Sequence, residues 1–201
     1  MHPTLHRRAF SQPGWIFEHK LDGFRGFARK SGDRVELLSR QGRSMAAAFP
    51  EIMRALSALP ADAVLDAELV VPDDGTRPPF EPLRQRAFMS RPRVIAAAAS
   101  ECPAVLCVFD CLFLEGEDRR ELPLVERKAV IEALIDGIPG LQVVPHMLTS
   151  GETVFAAATE LGLEGMVAKQ AGSAYRAGRQ PAWLNIKNAA YYRQEARAFG
   201  R

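Results

Sequence analysis

The sequence predicts an α+β fold of largely antiparallel sheets, and three observations lead there. Short β-type apolar runs follow one another across turn residues, and only some are separated by stretches at helical spacing. No Gly-x-Gly-x-x-Gly or P-loop pattern occurs, so a nucleotide site in this chain must be built from side chains rather than a glycine cradle. Apolar residues make up 47% of the 201, enough for a core without disulfide bonds.

The elements follow in order. Residues 15–20 form a strand-like run that ends at Asp22-Gly23, a turn signal. Residues 24–29 continue it, Ser31-Gly32-Asp33 turns the chain, and residues 35–39 return. Phe49, Ile52, Met53, Leu56 and Leu59 recur at helical spacing, which predicts a helix over 46–59 with Pro50 in its first turn. Residues 64–71 read as a buried strand closed by Pro72-Asp73-Asp74-Gly75, and a short helix is expected near 83–88. The most apolar strand, 105–114, ends at Glu115-Gly116, and the Leu/Val/Ile spacing of 124–135 predicts a helix. Thr149-x-x-Glu152 matches a capping box for a helix over 153–161, with Gly162 just past its end. Residues 166–170 and 183–187 read as strands joined by a loop rich in Gly, Arg and Tyr.

A chain of this length predicts a single domain over 1–201, with 1–14 as a lead-in and 188–201 as a basic tail. Arg7 and Arg8 are followed by no apolar stretch, so no signal peptide is expected, and the small-apolar run 94–99 is too short to span a bilayer. Cys102, Cys107 and Cys111 make no metal pattern with the scattered His2, His6, His19 and His146; Cys107 and Cys111 read as core residues in a reducing cytoplasm. Net charge is only +2, yet from Lys169 onward seven basic residues stand against one acid, which suits a phosphate-rich partner or a solvated tail. Arg84, Arg86, Arg91 and Arg93 read as solvated surface, with a DNA-facing patch as the alternative.

The chemistry begins at Lys20-Leu21-Asp22-Gly23-Phe24-Arg25. Taken alone, this run also fits a plain hairpin around Asp-Gly. Downstream, Glu68, Asp110, Glu164, Lys169 and Lys187 all lie in or beside strand-like apolar runs. Charges there are costly unless paired or facing a polar cleft, and several of both signs favour one shared site.

In this order the segments resemble the nucleotidyltransferase motifs of ATP-dependent DNA ligases, above all the ligase module of bacterial end-joining ligases and its stand-alone relatives. The resemblance covers about 15–188 and rests on Lys20-x-Asp22-Gly23-x-Arg25, Ser39-Arg40-x-Gly42, Leu65-Asp66-x-Glu68, Phe109-Asp110, Glu164-Gly165-x-Val167-x-Lys169 and Trp183-Leu184-x-Ile186-Lys187. It implies the nucleotidyltransferase, ATP-grasp-like fold: two largely antiparallel sheets flanked by helices, with the nucleotide in a cleft between them.

The resemblance also implies roles. Lys20 would take AMP from ATP as a phosphoramidate. Glu18 would read the adenine amino group, Phe109 would stack on the base, and Arg25 and Glu68 would hold the ribose or nearby phosphate. Glu164, with Glu68 beside it, would hold Mg²⁺ or Mn²⁺. Lys169 and Lys187 would contact the AMP phosphate, and Arg40 the 5′-phosphate of DNA. AMP would then pass to that 5′-phosphate at a nick or end, and a 3′-hydroxyl would displace it. The chemistry agrees, since a lysine must shed its proton before attacking and cations favour that loss while neutralising the phosphoryl transition state.

Two departures qualify the resemblance. Where the family has Lys-x-Lys, this chain has Asn185-Ile186-Lys187, with an amide in place of a cation. Only fourteen residues follow Lys187, too few for the OB-fold domain that usually comes next. The expectation is a stand-alone adenylating domain, a piece of a longer protein, or a domain served by an OB-fold or other repair partner in trans. RNA ligation, capping-type transfer from GTP, and a module that binds nucleotide or DNA ends without chemistry are the alternatives. A bacterial cytoplasmic, nucleoid-associated location accompanies the ligase reading.

Overall fold

The computed structural model describes residues 1–71 and 80–191. The Pro72-Asp73-Asp74-Gly75 turn and the tail from 192 onward lie outside the described residues. In chain order the elements are β1 (His2–His6), β2 (Trp15–His19), β3 (Phe24–Ser31), β4 (Arg34–Ser39), α1 (Pro50–Ser57), β5 (Ala63–Val70), α2 (Phe80–Ala87) and α3 (Pro92–Glu101). Then come β6 (Val105–Leu114), β7 (Glu117–Asp118), α4 (Leu124–Ile135), β8 (Leu141–Val143), β9 (His146–Leu148), α5 (Gly151–Glu160), β10 (Gly165–Gln170) and β11 (Arg179–Lys187). No helix among the described residues is long and apolar enough to cross a membrane.

The chain folds into two compact units. The first takes Met1–Leu21, Glu121–Val125 and Val144 onward; the second takes Asp22–Arg120 and Glu126–Val143. The first unit holds a five-stranded sheet ordered β1-β11-β10-β2-β9. Period-2 alternation sorts its side chains. Phe17, Met166, Ala168 and Ile186 pack with Val154 of α5 into a small core. Ile16, Glu18, Val167, Lys169, Trp183, Asn185 and Lys187 alternate with those residues and so occupy the opposite face.

The second unit holds a sheet ordered β4-β3-β5-β6-β7, with β8 added beside β6. Ala28, Leu37, Leu65, Ala67, Leu69, Leu106 and Val108 point one way, onto Ile52 and Leu56 of α1 and Ile131 and Leu134 of α4. Arg25, Asp66 and Glu68 alternate with these and lie on the other face. Register between β5 and β6 shifts twice, skipping Phe109 and Leu112, so each stands as the extra residue of a bulge on either side of Asp110. Bulges re-aim side chains, and here one carries the aromatic of the Phe-Asp motif.

The expected α+β class and largely antiparallel sheets are present, with β1–β11 and β6–β8 as parallel pairs. Strand β6 and helix α4 span the predicted residues. Elsewhere the structure differs. The lead-in contains β1, which the sequence conceals because an edge strand paired on one side needs no apolar alternation. The helix expected over 46–59 is confined to Pro50–Ser57; Phe49 is its N-cap, and Pro50, lacking an N–H, sits where none is needed. Helix α3, Ala-rich with weak apolar periodicity, was not expected. The capping box does not form: Ser150 is the N-cap of α5 and its side chain makes no capping bond, Thr149 has a positive φ of 60°, and the Glu152 N–H donates instead to Ser11 Oγ at 3.2 Å.

The Asp22-Gly23 turn is not a hairpin either, because β2 and β3 belong to different sheets. Gly23 is required for another reason. A Cβ at this position would lie 2.3 Å from the Leu69 carbonyl oxygen on β5. Only a residue without a side chain lets the chain enter β3 so close to β5.

Candidate active site

Lys20 follows β2 directly, and its backbone N–H donates to the Gly165 carbonyl at 2.9 Å. Gly165 has φ 139°, and a Cβ there would come within 2.1 Å of the Ile186 carbonyl oxygen. This glycine lets β10 start hard against β11. Glu164 is fixed in the same place, because the Asn188 N–H donates to its carbonyl at 2.9 Å and the Asn188 amide donates to Leu163. The result is a direct ion pair in which Lys20 Nζ donates to Glu164 Oε2, both side chains being largely shielded. The sequence reading placed cations beside Lys20; an acid is what meets it.

Two strand positions further in, Lys169 and Glu18 form a second pair, Nζ to Oε2 at 2.5 Å, each 3% exposed. The Lys169 ammonium also sits 4.2 Å from the Trp183 ring centroid on β11, a desolvated cation–π contact. Trp183 thus has a function that the motif alone did not disclose: it covers the lysine the resemblance assigns to phosphate. Next to it on the same strand face, Asn185 keeps a buried Oδ1 with no hydrogen-bond partner, and Lys187 is exposed at the strand end.

The second unit carries its own set. Arg25 donates twice to Asp66, Nε to Oδ1 at 2.9 Å and Nη2 to Oδ2 at 2.6 Å, with Asp66 fully buried. Its guanidinium lies 5.5 Å from the Phe109 ring centroid and 5.9 Å from that of Phe27. Asp66 on β5 thus reaches across to Arg25 on β3. Glu68 is the register partner of Arg25 on β5 and of Cys107 on β6. Burial first, and then the Glu68 charge, push the Cys107 thiol up to about 11. Burial likewise raises Cys111 to about 11, and neither thiol is a nucleophile at neutral pH.

Arg40 stands exposed on the turn after β4. Gly42, with φ 76°, donates to the Ser39 carbonyl at 2.8 Å, and Ser39 Oγ accepts from the Arg43 N–H at 3.1 Å. Ser39-Arg40-x-Gly42 is therefore a closed turn that presents one arginine. Sequence reasoning missed Arg127 and Lys128. Arg127 Nε and Nη2 donate to the two Asp110 oxygens at 2.7 and 2.9 Å, with both side chains 0% exposed. Lys128, also buried, donates to the Phe109 carbonyl at 3.4 Å. An Arg-Lys pair opening an apolar helix was the available signal. In the Gly-rich loop, Arg176 pairs with Glu121, and the Tyr175 hydroxyl accepts from the N-terminal amine at 3.0 Å.

A cavity of about 630 Å³ lies in the second unit, lined among others by Arg29, Val64, Leu112 and Arg120; it includes none of the expected site residues. No cluster of three His, Cys, Asp or Glu side chains able to hold a metal occurs among the described residues. The donors that are present, chiefly the single shielded carboxylate of Glu164 beside Lys20, match a magnesium-type ion. Such an ion takes one or two carboxylates and completes its shell with water and substrate phosphate.

Comparison with known proteins gives one answer. The sequence model described as "ATP dependent DNA ligase domain" matches residues 4–187. The multifunctional non-homologous end joining protein LigD of Pseudomonas aeruginosa is 35% identical over 176 residues, covering 86% of this chain and 20% of that protein. The SPbeta prophage-derived DNA ligase-like protein LigB of Bacillus subtilis is 33% identical over 186 residues, 92% of this chain and 65% of that one. Among solved structures, a mycobacterial DNA ligase D complexed with ATP and MES superimposes with a TM-score of 0.75 at 27% identity, covering 92% of this chain and 58% of that one. The chain thus spans less than two thirds of the length of these relatives.

Proposed function

This chain belongs to the ATP-dependent DNA ligase domain family, and on that premise we propose that it is an adenylating core whose Lys20 takes AMP from ATP and passes it to DNA. One observation carries the reading: Lys20 meets the carboxylate of Glu164 at the start of β10, on the sheet that also bears Glu18, Lys169, Asn185 and Lys187.

Glu164 is the group placed to accept the proton that Lys20 must lose. The free amine then attacks the α-phosphorus of ATP; an N–P bond forms, the bond to the β-phosphate oxygen breaks, and pyrophosphate leaves with the electron pair. Lys169 and Lys187 neutralise the phosphate oxygens, and the Asn185 amide offers a neutral hydrogen bond between them. Glu18 reads the adenine amino group, Phe109 stacks on the base, and Arg25 and Glu68 hold the ribose. Mg²⁺ or Mn²⁺, when bound, would be held by Glu164, with Glu68 as the further carboxylate that the resemblance implies, and would supply charge neutralisation at the phosphates. In the second step a 5′-phosphate oxygen of DNA, steered by Arg40, attacks the same phosphorus and the Lys20 nitrogen leaves. In the third, a 3′-hydroxyl attacks the activated 5′-phosphate and AMP departs. The partner is nicked or broken DNA in the bacterial cytoplasm, together with an OB-fold clamp or repair protein.

The test is incubation with α-labelled ATP and Mg²⁺ followed by denaturation. Label retained on the protein, absent from Lys20→Ala and absent when GTP replaces ATP, supports the reading. A wild-type chain that takes no label yet binds DNA ends would be a binding module instead.

A further inference from the structure

Residues 83–100 contain Arg84, Arg86, Arg91 and Arg93 and not one Asp or Glu. The structure separates these four arginines into two kinds. Arg86 is 2% exposed and spent internally: Nη1 meets Glu51 at 2.5 Å, Nη2 donates to the Ala48 carbonyl at 2.9 Å, and the guanidinium lies 4.8 Å from the Phe49 ring centroid. Glu51 also accepts from the Ala104 N–H at 3.0 Å. This buried knot ties α2 to the start of α1 and to the chain entering β6. Arg84, Arg91 and Arg93 are instead exposed, around the corner where α2 ends and α3 begins. Phe88, at the same corner, is 82% exposed, and Val94 is 44% exposed.

We propose that this α2–α3 corner is a second DNA-contacting surface, in which Arg84, Arg91 and Arg93 bind backbone phosphates and Phe88 packs against the sugar–phosphate edge; this rests on the reading that the substrate is DNA. Three guanidinium groups fall within ten residues that hold no carboxylate, with Glu81 and Glu101 at the far ends of α2 and α3, and they carry a local positive field whose complement is a polyanion. Arginine is suited to phosphate because its planar fork donates in pairs. DNA presents a charge about every 1.7 Å along its axis, so three arginines held on one corner can find phosphates together. A lone exposed aromatic among cations is too small an apolar patch to seat a protein by burial alone, but it suits a nucleic-acid surface. The Arg86–Glu51 knot keeps the corner rigid, so little order must be gained on binding. The corner adds grip without touching the reacting atoms.

The experiment measures binding of nicked duplex DNA across a salt series for the whole chain, for the triple variant Arg84→Ala/Arg91→Ala/Arg93→Ala, and for Phe88→Ser. Each phosphate contact contributes a slope of about −0.9 in log K against log salt, so the triple variant should flatten the slope by about 2.7. Its affinity at low salt should drop at least about tenfold. Labelling of Lys20 by α-labelled ATP should stay at the wild-type level, which also reports that the variant folds. The Arg→Lys triple variant keeps the charge and should restore the slope. An unchanged slope and affinity in the triple variant overturns the surface while leaving the adenylation reading standing. Loss of an acidic protein partner with DNA affinity unchanged also overturns it. Absent labelling in the wild type, with the flattened slope still seen, sinks the adenylation reading and spares this one.

Discussion

Asp66 and Asp110 are register partners on β5 and β6, both inaccessible to solvent, and each carboxylate is held by its own arginine through two hydrogen bonds. Arg25 serves Asp66 from the neighbouring strand, and Arg127 serves Asp110 from α4. Removing one arginine strands a buried charge beside another. Arg127→Met should therefore destabilise the chain by about 3–5 kcal/mol in urea unfolding. The double change Asp110→Leu/Arg127→Met should recover most of that loss, and a double variant no better than the single would count against the pairing.

Glu164→Gln removes the carboxylate that Lys20 meets while keeping its shape. Adenylation should slow by about 10²–10⁴-fold, as for loss of a general base. Stability should fall by about 1–3 kcal/mol, since the pair is largely shielded and the Lys20 charge loses its partner. If Glu164 serves only to hold the metal, raising Mg²⁺ will restore the rate; if it takes the proton, it will not. Stopped assays of labelled enzyme at rising Mg²⁺ decide between them.

Asn185 Oδ1 is buried without a hydrogen-bond partner on the face that carries Lys169 and Lys187. Asn185→Lys would place there the cation that relatives of this family carry. Adenylation at limiting ATP should rise by about tenfold, the value of one added charge-assisted bond to phosphate. An unchanged or lower rate at limiting ATP would mean that Asn185 does not face the phosphate.

The buried thiols set an alkaline limit. Cys107 and Cys111 both lie near 11, above their unfolded value of 9.0. A folded-state pKa raised above the unfolded one means that folding favours the neutral thiol. That contribution is complete below pH 9 and is lost as pH climbs from 9 to 11, on the order of 2–3 kcal/mol per thiol. Unfolding midpoints should fall across this window in the wild type and fall less in Cys107→Ala. Below pH 8.5, a thiol reagent should modify Cys102, the more accessible cysteine, before the other two.

What was legible in the sequence was local. The bounds of β6 and α4 matched to the residue because an unbroken apolar run and a clear helical spacing need no distant partner to declare themselves. Strand β1 and the cap of α5 were misread for the opposite reason. A polar edge strand exists only because β11 pairs with it, and Thr149 is turned away from capping by a backbone conformation that its sequence does not announce. The site divides the same way. Its acids and bases stood out as charges in apolar runs, yet the partnerships did not. Lys20 meets Glu164 across 144 positions and Arg25 meets Asp66 across 41, distances that only the sheets close. Arg127 and Asp110 stand 17 positions apart, and only the packing of α4 on β6 joins them.

The first unit draws its strands from both ends of the chain, and this has a consequence for synthesis. A nascent chain has every strand of the second unit once Val143 has left the ribosome, whereas β2 must wait for β10 and β11. At about 5–20 residues per second, the interval from there to Lys187 is about 2–9 s. Until it ends, Lys20 has neither Glu164 nor Lys169 beside the strand that carries it. On the proposed function, AMP capture by Lys20 is thereby coupled to synthesis of β10 and β11, and a chain that stops short of them cannot take AMP.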